Sequence, residues 1–388
     1  MDPYRNPFAP GAGSRPPELA GRDLVLEQAR IASGRAIIGR HARSIILLGL
    51  RGTGKTVLLN EIEGIGRQAG LLTSKIESPE GKGLAQLLVP EMRRVMRSLS
   101  VAESAKDLAD RGLRALRSFV SIFKIEVAGF EVEVDGEPGL ADSGDLQADL
   151  PDLFLTIGQA AKAAGKGWML LIDEIQYLSE PDLSALIVAV HKVSQAGLPV
   201  LFVGAGLPQV ARLAGDAKSY AERLFVYPEV GPLDRVSAEK AIRNPIREEG
   251  ADISDDALAE IVTLTKGYPF FLQEWASILW DSAQGPTITL AETQKAYRGA
   301  IASLDEGFFK VRIDRLTKAE VKFVQAMAAL GDGPYSMADI AKEMGRQMNS
   351  LGPARATIIH KGMIYSPSFG YLDFTVPLFA DFIRRRFS

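Results

Sequence analysis

The apolar positions of this chain follow two regimes. Residues 44–50, "SIILLGL", form a short continuous apolar run, rich in β-branched side chains and closed by glycine. That pattern predicts a strand buried on both faces of a parallel sheet. After a glycine-rich turn, "KTVLLNEIEGIGRQAG" places Val57, Leu58, Ile62 and Ile65 at helical spacing. Strand and helix signals then alternate. Strands are expected at 71–78, 168–175, 198–206 and 223–230, a helix runs from about Pro181 to Gln195, and helical segments reach about residue 120, with Leu84, Leu88, Met92, Val95 and Leu99 in one stripe. Such alternation predicts an α/β fold built on a doubly wound parallel sheet. Ahead of it, residues 1–20 are rich in Pro and Gly and should be extended, and "GRDLVLEQARIASGRAI" reads as a helix with Leu24, Ala29 and Ile31 among its apolar residues.

Beyond "GPLD" the strand signals stop. Helices are expected near 236–249, 254–265, 269–282 and 289–299, the last opened by a capping box from Thr289 to Glu292. A second capping box, Thr317 to Glu320, opens a helix carrying Phe323, Met327 and Leu330. Two short helices follow, "SMADIAKEMG" and "PARATIIHKG", then two strands in "MIYSPSFGYLDFT" and a closing helix in "PLFADFIRRRF". Three helices and a β-hairpin are the order of a winged helix-turn-helix. The chain therefore divides into an N-terminal extended segment and helix (1–43), an α/β core (44–230) with an insertion at about 84–150, an all-α section (231–310) and a winged helix (311–388).

Composition narrows the chemistry. The 388 residues are 46% apolar and 24% charged with a net charge of -3, so nothing global draws the chain to nucleic acid or anionic lipid. The absence of cysteine removes disulfides, thiolate nucleophiles and cysteine-ligated zinc. His41, His191 and His360 lie far apart and suggest packed or surface roles. With no apolar run of about 18–20 residues and no signal-like N-terminus, a cytoplasmic location without membrane contact is expected. Arg93, Arg94 and Arg97 fall opposite the apolar stripe of their helix and read as a solvated face. Within 123–135, "FKIEVAGFEVEVD" has the alternation of a hairpin, and residues 124–152 hold nine acids against Lys124, which suits a surface loop or a basic partner.

Gly49, four residues, Gly54, Lys55 and Thr56 form the Walker A pattern. The glycines let backbone N–H groups across Arg51, Gly52, Thr53, Gly54, Lys55 and Thr56 converge on phosphate oxygens at the positive end of a helix. Lys55 should reach the β and γ phosphates and the Thr56 hydroxyl should ligate Mg2+. In "LLIDEI", four apolar residues place Asp173 at the carboxyl tip of a buried strand, where it can hold Mg2+, with Glu174 positioned to polarise the attacking water. ATP and Mg2+ are the cofactors this pattern calls for, and adjacent Asp and Glu point to hydrolysis.

With these motifs in this order, the sequence resembles the AAA+ superfamily over nearly its whole length, in the branch of origin-recognition-type ATPases and related signal-transduction ATPases. The resemblance implies that "PPELAGRDLVLE" lies on the adenine side, with Leu19, Gly21 and Arg22 near the base. It implies that Arg223 reaches nucleotide, often across a subunit boundary in a homo-oligomer, and that Gly267 and Pro269 open a lid helix over the nucleotide. Two departures suggest slow turnover: "LFVGAGLPQ" offers Gly204, Ala205 and Gly206 where the family places a polar residue, with Gln209 nearest, and the lid helix lacks a sensing arginine. The expected function is an Mg2+-dependent ATPase working as a nucleotide-controlled switch. For its tail two readings stay open: duplex DNA bound through 346–386, with Arg346, Gln347, Asn349, Arg355, His360 and Lys361 at hand, or a protein partner in a signalling or defence regulator. Residues 317–388 carry nine bases against six acids, a mild excess for a DNA binder.

Overall fold

The computed structural model describes residues 1–11, 13–125 and 137–387, and these fall into two compact units. One, the sheet unit, comprises Asp23–Gly49 and Lys55–Val230; the other, the C-terminal unit, comprises Met1–Arg22, Leu50–Gly54 and Gly231–Ser388. The hairpin expected at 123–135 lies almost wholly outside the described residues.

The sheet unit begins with α1 (Asp23–Ile37) and β1 (Ser44–Leu48), all five residues of which are buried. Then come α2 (Lys55–Gln68), β2 (Leu71–Glu77), α3 (Leu84–Leu99), α4 (Lys106–Ile122), α5 (Leu146–Ala163), β3 (Gly167–Asp173), α6 (Glu180–Gln195), β4 (Val200–Gly206), α7 (Val210–Ala217), α8 (Ala221–Leu224) and β5 (Phe225–Val226). The strands form one parallel sheet in the order β2-β3-β4-β1-β5. Continuous apolar runs make continuous buried strands here because helices cover both faces, leaving no side of β1 or β3 for water. The expected stripe of α3 is buried at all five positions. On α1 the small residues Ala29, Ala32 and Ala36 face inward, while Leu24 and Ile31 are exposed.

One expectation for this unit is corrected. The run 223–230 gives only a two-residue strand, since Ala221–Leu224 close a helical turn and Pro228, lacking an N–H, offers only its carbonyl to Leu48. Several described acids of 137–152 have partners within the unit. Asp149 is buried and accepts from Ser143 and Gly144, Asp145 caps α5, and Glu137 is paired with Arg111 and Arg114. Arg94, on the exposed face of α3 as expected, also donates to the Thr73 carbonyl and pairs with Glu91.

In the C-terminal unit, α9 (Arg235–Glu248), α10 (Asp255–Thr265), α11 (Pro269–Ser282) and α12 (Leu290–Ser303) pack around Trp275, Phe271 and Ile261, with β6 (Asp252–Ile253) and β7 (Thr287–Ile288) as a small parallel pair. A π-helical turn (Leu304–Phe309) runs into α13 (Lys310–Ile313). Then follow α14 (Lys318–Ala329), β8 (Tyr335–Ser336), α15 (Met337–Glu343), α16 (Gly352–His360), β9 (Ile364–Tyr365), β10 (Tyr371–Phe374) and α17 (Phe379–Phe387), the three strands forming an antiparallel sheet in the order β8-β10-β9. Both expected capping boxes are present, at Thr289–Glu292 and Thr317–Glu320. A single apolar cluster runs from Phe8 to Ile383, and Phe309 lies between α11 and α17, against Phe271, Phe379 and Phe382. No helix among the described residues is long and apolar enough to cross a membrane.

The sheet unit rests on large aromatic side chains. Phe154 of α5 meets Trp168 of β3 edge to face at 4.9 Å, both buried, and the Trp168 indole donates to Ser74 at 3.1 Å. Phe154→Ala should destabilise this unit by about 3–5 kcal/mol, the usual cost of an aromatic-sized cavity, measured by chemical denaturation with a probe in the sheet unit.

Candidate functional site

The carboxyl ends of β1, β3 and β4 supply the chemistry. Gly49 follows β1 and its N–H donates to the Gly206 carbonyl at the end of β4 (3.1 Å). At the start of α2, the buried Lys55 ammonium donates to the Gly49 carbonyl at 3.0 Å. One residue on, the Thr56 hydroxyl donates to Asp173 Oδ2 at 2.6 Å, so the two Mg2+ ligands expected from different parts of the sequence are in contact. A hydroxyl and a carboxylate side by side fit a Mg2+ completed by phosphate oxygens and water, with Asp173 largely buried at the tip of β3.

Glu174 follows at φ 54°, ψ 40°, a left-handed conformation rare for a side-chain-bearing residue. Its N–H donates to Asp173 Oδ1 at 2.9 Å, and its carboxylate accepts from the Gln176 carboxamide. Gln176 in turn accepts from the Leu207 N–H at 3.2 Å, just past β4. A side chain on Gly206 would collide with that carboxamide, 2.8 Å from where its Cβ would stand. Thus Gln176 links Glu174 to the strand end at which sequence reasoning sought a polar residue and considered Gln209. Its signal was weak: a glutamine two positions after the Asp-Glu pair carries no motif.

The tip of the glycine loop, Leu50–Gly54, belongs to the C-terminal unit and is bonded there on several sides. Gly52 and Gly54 hold φ of 81° and 93°, which only glycine adopts freely. The Tyr268 hydroxyl donates to the Arg51 carbonyl, and the Phe270 N–H donates to the Gly52 carbonyl at 3.2 Å. Burial pushes the Tyr268 phenol up, despite the opposing charge of Arg312, so it remains a donor. From the far end of the chain, the Thr375 carbonyl accepts from the Arg51 N–H at 3.3 Å. The Arg51 guanidinium also lies where a Cβ on Gly362 would stand, only 2.4 Å away, at a position whose φ is 63°. Thr53 is buried, and its hydroxyl donates to Leu50.

The remaining expected residues fall as follows. Arg22 is buried, and its guanidinium donates to the carbonyls of Thr53 (3.2 Å) and Gly231 (2.6 Å). Burial lowers its pKa, and Asp234 opposes that shift. Gly267, at φ 68°, accepts from the Leu233 N–H at 2.8 Å, and the Leu233 carbonyl would lie 2.4 Å from an added Cβ; Pro269 is the first residue of α11. Arg223 is exposed on α8. In the tail, Lys361 bonds Glu320 at 2.7 Å and the Arg315 carbonyl at 2.9 Å, while Arg346, Gln347, Asn349 and His360 are exposed.

Parallel sheet order, glycine loop and the Thr56–Asp173 pair together define a P-loop NTPase α/β fold. A family model described as AAA ATPase domain matches residues 18–203, and one described as a domain of unknown function matches 306–383. Among solved structures, a Walker-type ATPase of Pyrococcus abyssi is similar with a TM-score of 0.59 at 16% identity, over 94% of this chain and 96% of that one. RuvB of Thermotoga maritima, a Holliday junction branch migration motor, gives 0.45 at 15% identity over 91% and 92%. Orc1 of Aeropyrum pernix, in complex with DNA, gives 0.44 at 14% over 95% and 93%. No curated protein matches by sequence. At 16% identity the first of these likenesses is one of fold.

Lys55→Ala should weaken ATP binding roughly tenfold to a hundredfold, the worth of one charge-assisted hydrogen bond of about 1.5–3 kcal/mol. Thr56→Ala should instead leave metal-free nucleotide binding near wild type and abolish its strengthening by Mg2+. Titration of a fluorescent ATP analogue with and without Mg2+ separates the two.

Proposed function

We propose that this protein is an Mg2+-dependent ATP hydrolase that works as a nucleotide-controlled switch, with 231–310 serving as a lid and 311–388 as a winged-helix output module. The observation that carries the switch reading is the loop tip: its carbonyls are bonded by Tyr268 and Phe270, and its Arg51 N–H by Thr375. A phosphate drawing the amides of 52–56 inward shifts the carbonyls of the same peptide groups; those of Arg51 and Gly52 are bonded to the lid, and the adjoining Arg51 N–H is held by Thr375 of the output module. The nucleotide state thereby biases both through differential contact.

In hydrolysis, Lys55 neutralises phosphate charge, Thr56 and Asp173 hold Mg2+, and Glu174, oriented by Gln176, takes the proton of the attacking water. Engagement of Glu174 by a carboxamide fits slow turnover, since the base must exchange that donor for water. Arg223, exposed on α8, is available to a second copy of the chain.

For the output, protein contact is favoured over duplex DNA. Three of the nine cations in 317–388 are paired within the fold, Lys361 by Glu320, Arg384 by Asp381 and the carbonyls of Ala328 and Gly331, and Arg385 by Asp305, while Lys318, Lys322 and Arg346 stand beside apolar surface. Between Gly362 and Ile383 the chain has no lysine or arginine, and the wing exposes Phe369 and Tyr371 instead. A DNA-binding wing relies on cations for phosphate contact.

Glu174→Gln should retain ATP while turnover falls about 10²–10⁴-fold, the usual contribution of a general base; wild-type turnover would remove Glu174 from that role. Gln176→Leu should change turnover with little effect on ATP affinity. Adding Mg2+ and ATP to the Glu174→Gln protein should alter amide exchange at 268–270 and 362–375. Identical exchange in both segments with the site saturated would refute coupling through the loop.

A further inference from the structure

Away from the nucleotide loop, α14, the end of α15 and α17 border a groove of about 950 Å3. Its floor is apolar: Ala326 and Ile383 are buried, Met344 is half-buried, and Phe387 leaves 44% of its surface in solvent. Around it stand the exposed side chains of Lys318, Lys322 and Arg346, with Glu343 the one acid among the described lining residues. Lys318 and Lys322 are one turn apart on the same face of α14. From Lys318 to Ala329 that face extends about 16 Å, at 1.5 Å per residue, which is room for three helical turns.

A groove with an apolar floor and a cationic rim is complementary to an apolar stripe flanked by carboxylates. We propose that it docks an acidic amphipathic helix of a partner protein. Apolar side chains at i, i+3 or i+4 and i+7 would cover Ile383, Met344 and Phe387, and carboxylates on either side would meet Lys318, Lys322 and Arg346. Duplex DNA satisfies only half of this description, because phosphates would meet the rim and leave the apolar floor wet. The proposal rests on the reading of 311–388 as an output that acts on protein, and it identifies the chemistry of what that output holds.

The test uses the full chain and a fluorescein-labelled fifteen-residue peptide with leucine at the apolar helical positions and glutamate elsewhere. The same peptide with lysine for glutamate, and a duplex of about twenty base pairs, serve as comparison probes. Fluorescence anisotropy should show the acidic peptide binding, more weakly as salt rises, and in preference to the lysine peptide. The combined Lys318→Glu, Lys322→Glu and Arg346→Glu variant should lose at least tenfold in affinity for the acidic peptide and gain affinity for the lysine one. Phe387→Ala should lose several-fold without changing charge, and unchanged ATP binding in both variants shows that they are folded. Absence of acidic-peptide binding, or equal binding to the charge-reversed variant, overturns the proposal. So does duplex DNA that binds more tightly than the peptide and is lost in that variant, or a dimer that the variant converts to monomer. Repeating the titration with Mg2+ and ATP separates the two readings. Peptide binding indifferent to nucleotide leaves the groove and removes the switch, whereas nucleotide-dependent exchange at 362–375 without peptide binding removes the groove alone.

Discussion

Five residues of backbone carry two sets of obligations. In the proposed function the amides from Gly52 onward face phosphate, while the carbonyls of Arg51, Gly52 and Thr53 are bonded by Tyr268, Phe270 and Arg22, and the Arg51 N–H by Thr375. Only a chain free to adopt positive φ can satisfy both. That explains Gly52 twice over: its φ is 81°, and a Cβ there would come within 3.1–3.2 Å of Tyr268 and Phe270. Gly362 faces the same requirement from the other side, at the Arg51 guanidinium. Glycine at 52 is therefore demanded by its positive φ and by packing against Tyr268 and Phe270 alike.

The parts of the site legible in the sequence are those with a local signature. Gly49 to Thr56 and the Asp173–Glu174 pair announce themselves because each follows an apolar strand directly, and strand burial forces the next polar residue to the carboxyl tip of the sheet. The α/β alternation was equally legible, since a parallel sheet covered on both faces needs uninterrupted apolar runs. What stayed hidden depends on residues far apart in the chain. Thr375 meets Arg51 through a backbone carbonyl, for which side-chain identity carries no information, and Gln176 matters only through Glu174 and the Leu207 amide. Arg22 was conspicuous, yet its partners, the carbonyls of Thr53 and Gly231, have no sequence signature at all.

Charge illustrates the same limit. Nine bases in 317–388 gave a modest electrostatic expectation, but a count treats every cation as available. Lys361 is drawn into a capping box already assembled by Thr317 and Glu320, and Arg384 closes over the carbonyls at the end of α14. Cations engaged in this way hold the helices of the module together. Those that remain in solvent around the groove, Lys318, Lys322 and Arg346, are grouped beside apolar surface, a juxtaposition the net charge could not reveal.

The first residues of the chain have a consequence for where this protein can be divided. Phe8 is buried in the C-terminal unit, the Trp280 indole donates to the Asp2 carbonyl, Asn6 holds Ser277 and Asp281, and Glu18 accepts from Asn244. A similarity boundary at residue 18 therefore cuts through a seam that chain continuity does not reveal. A chain shortened to begin there would uncover the indole of Trp280 and the pocket filled by Phe8, making a new hydrophobic surface on α11, the helix whose first turn bonds the glycine loop at Gly52. The amino terminus is in effect the outer wall of the helices around Trp275 and Trp280.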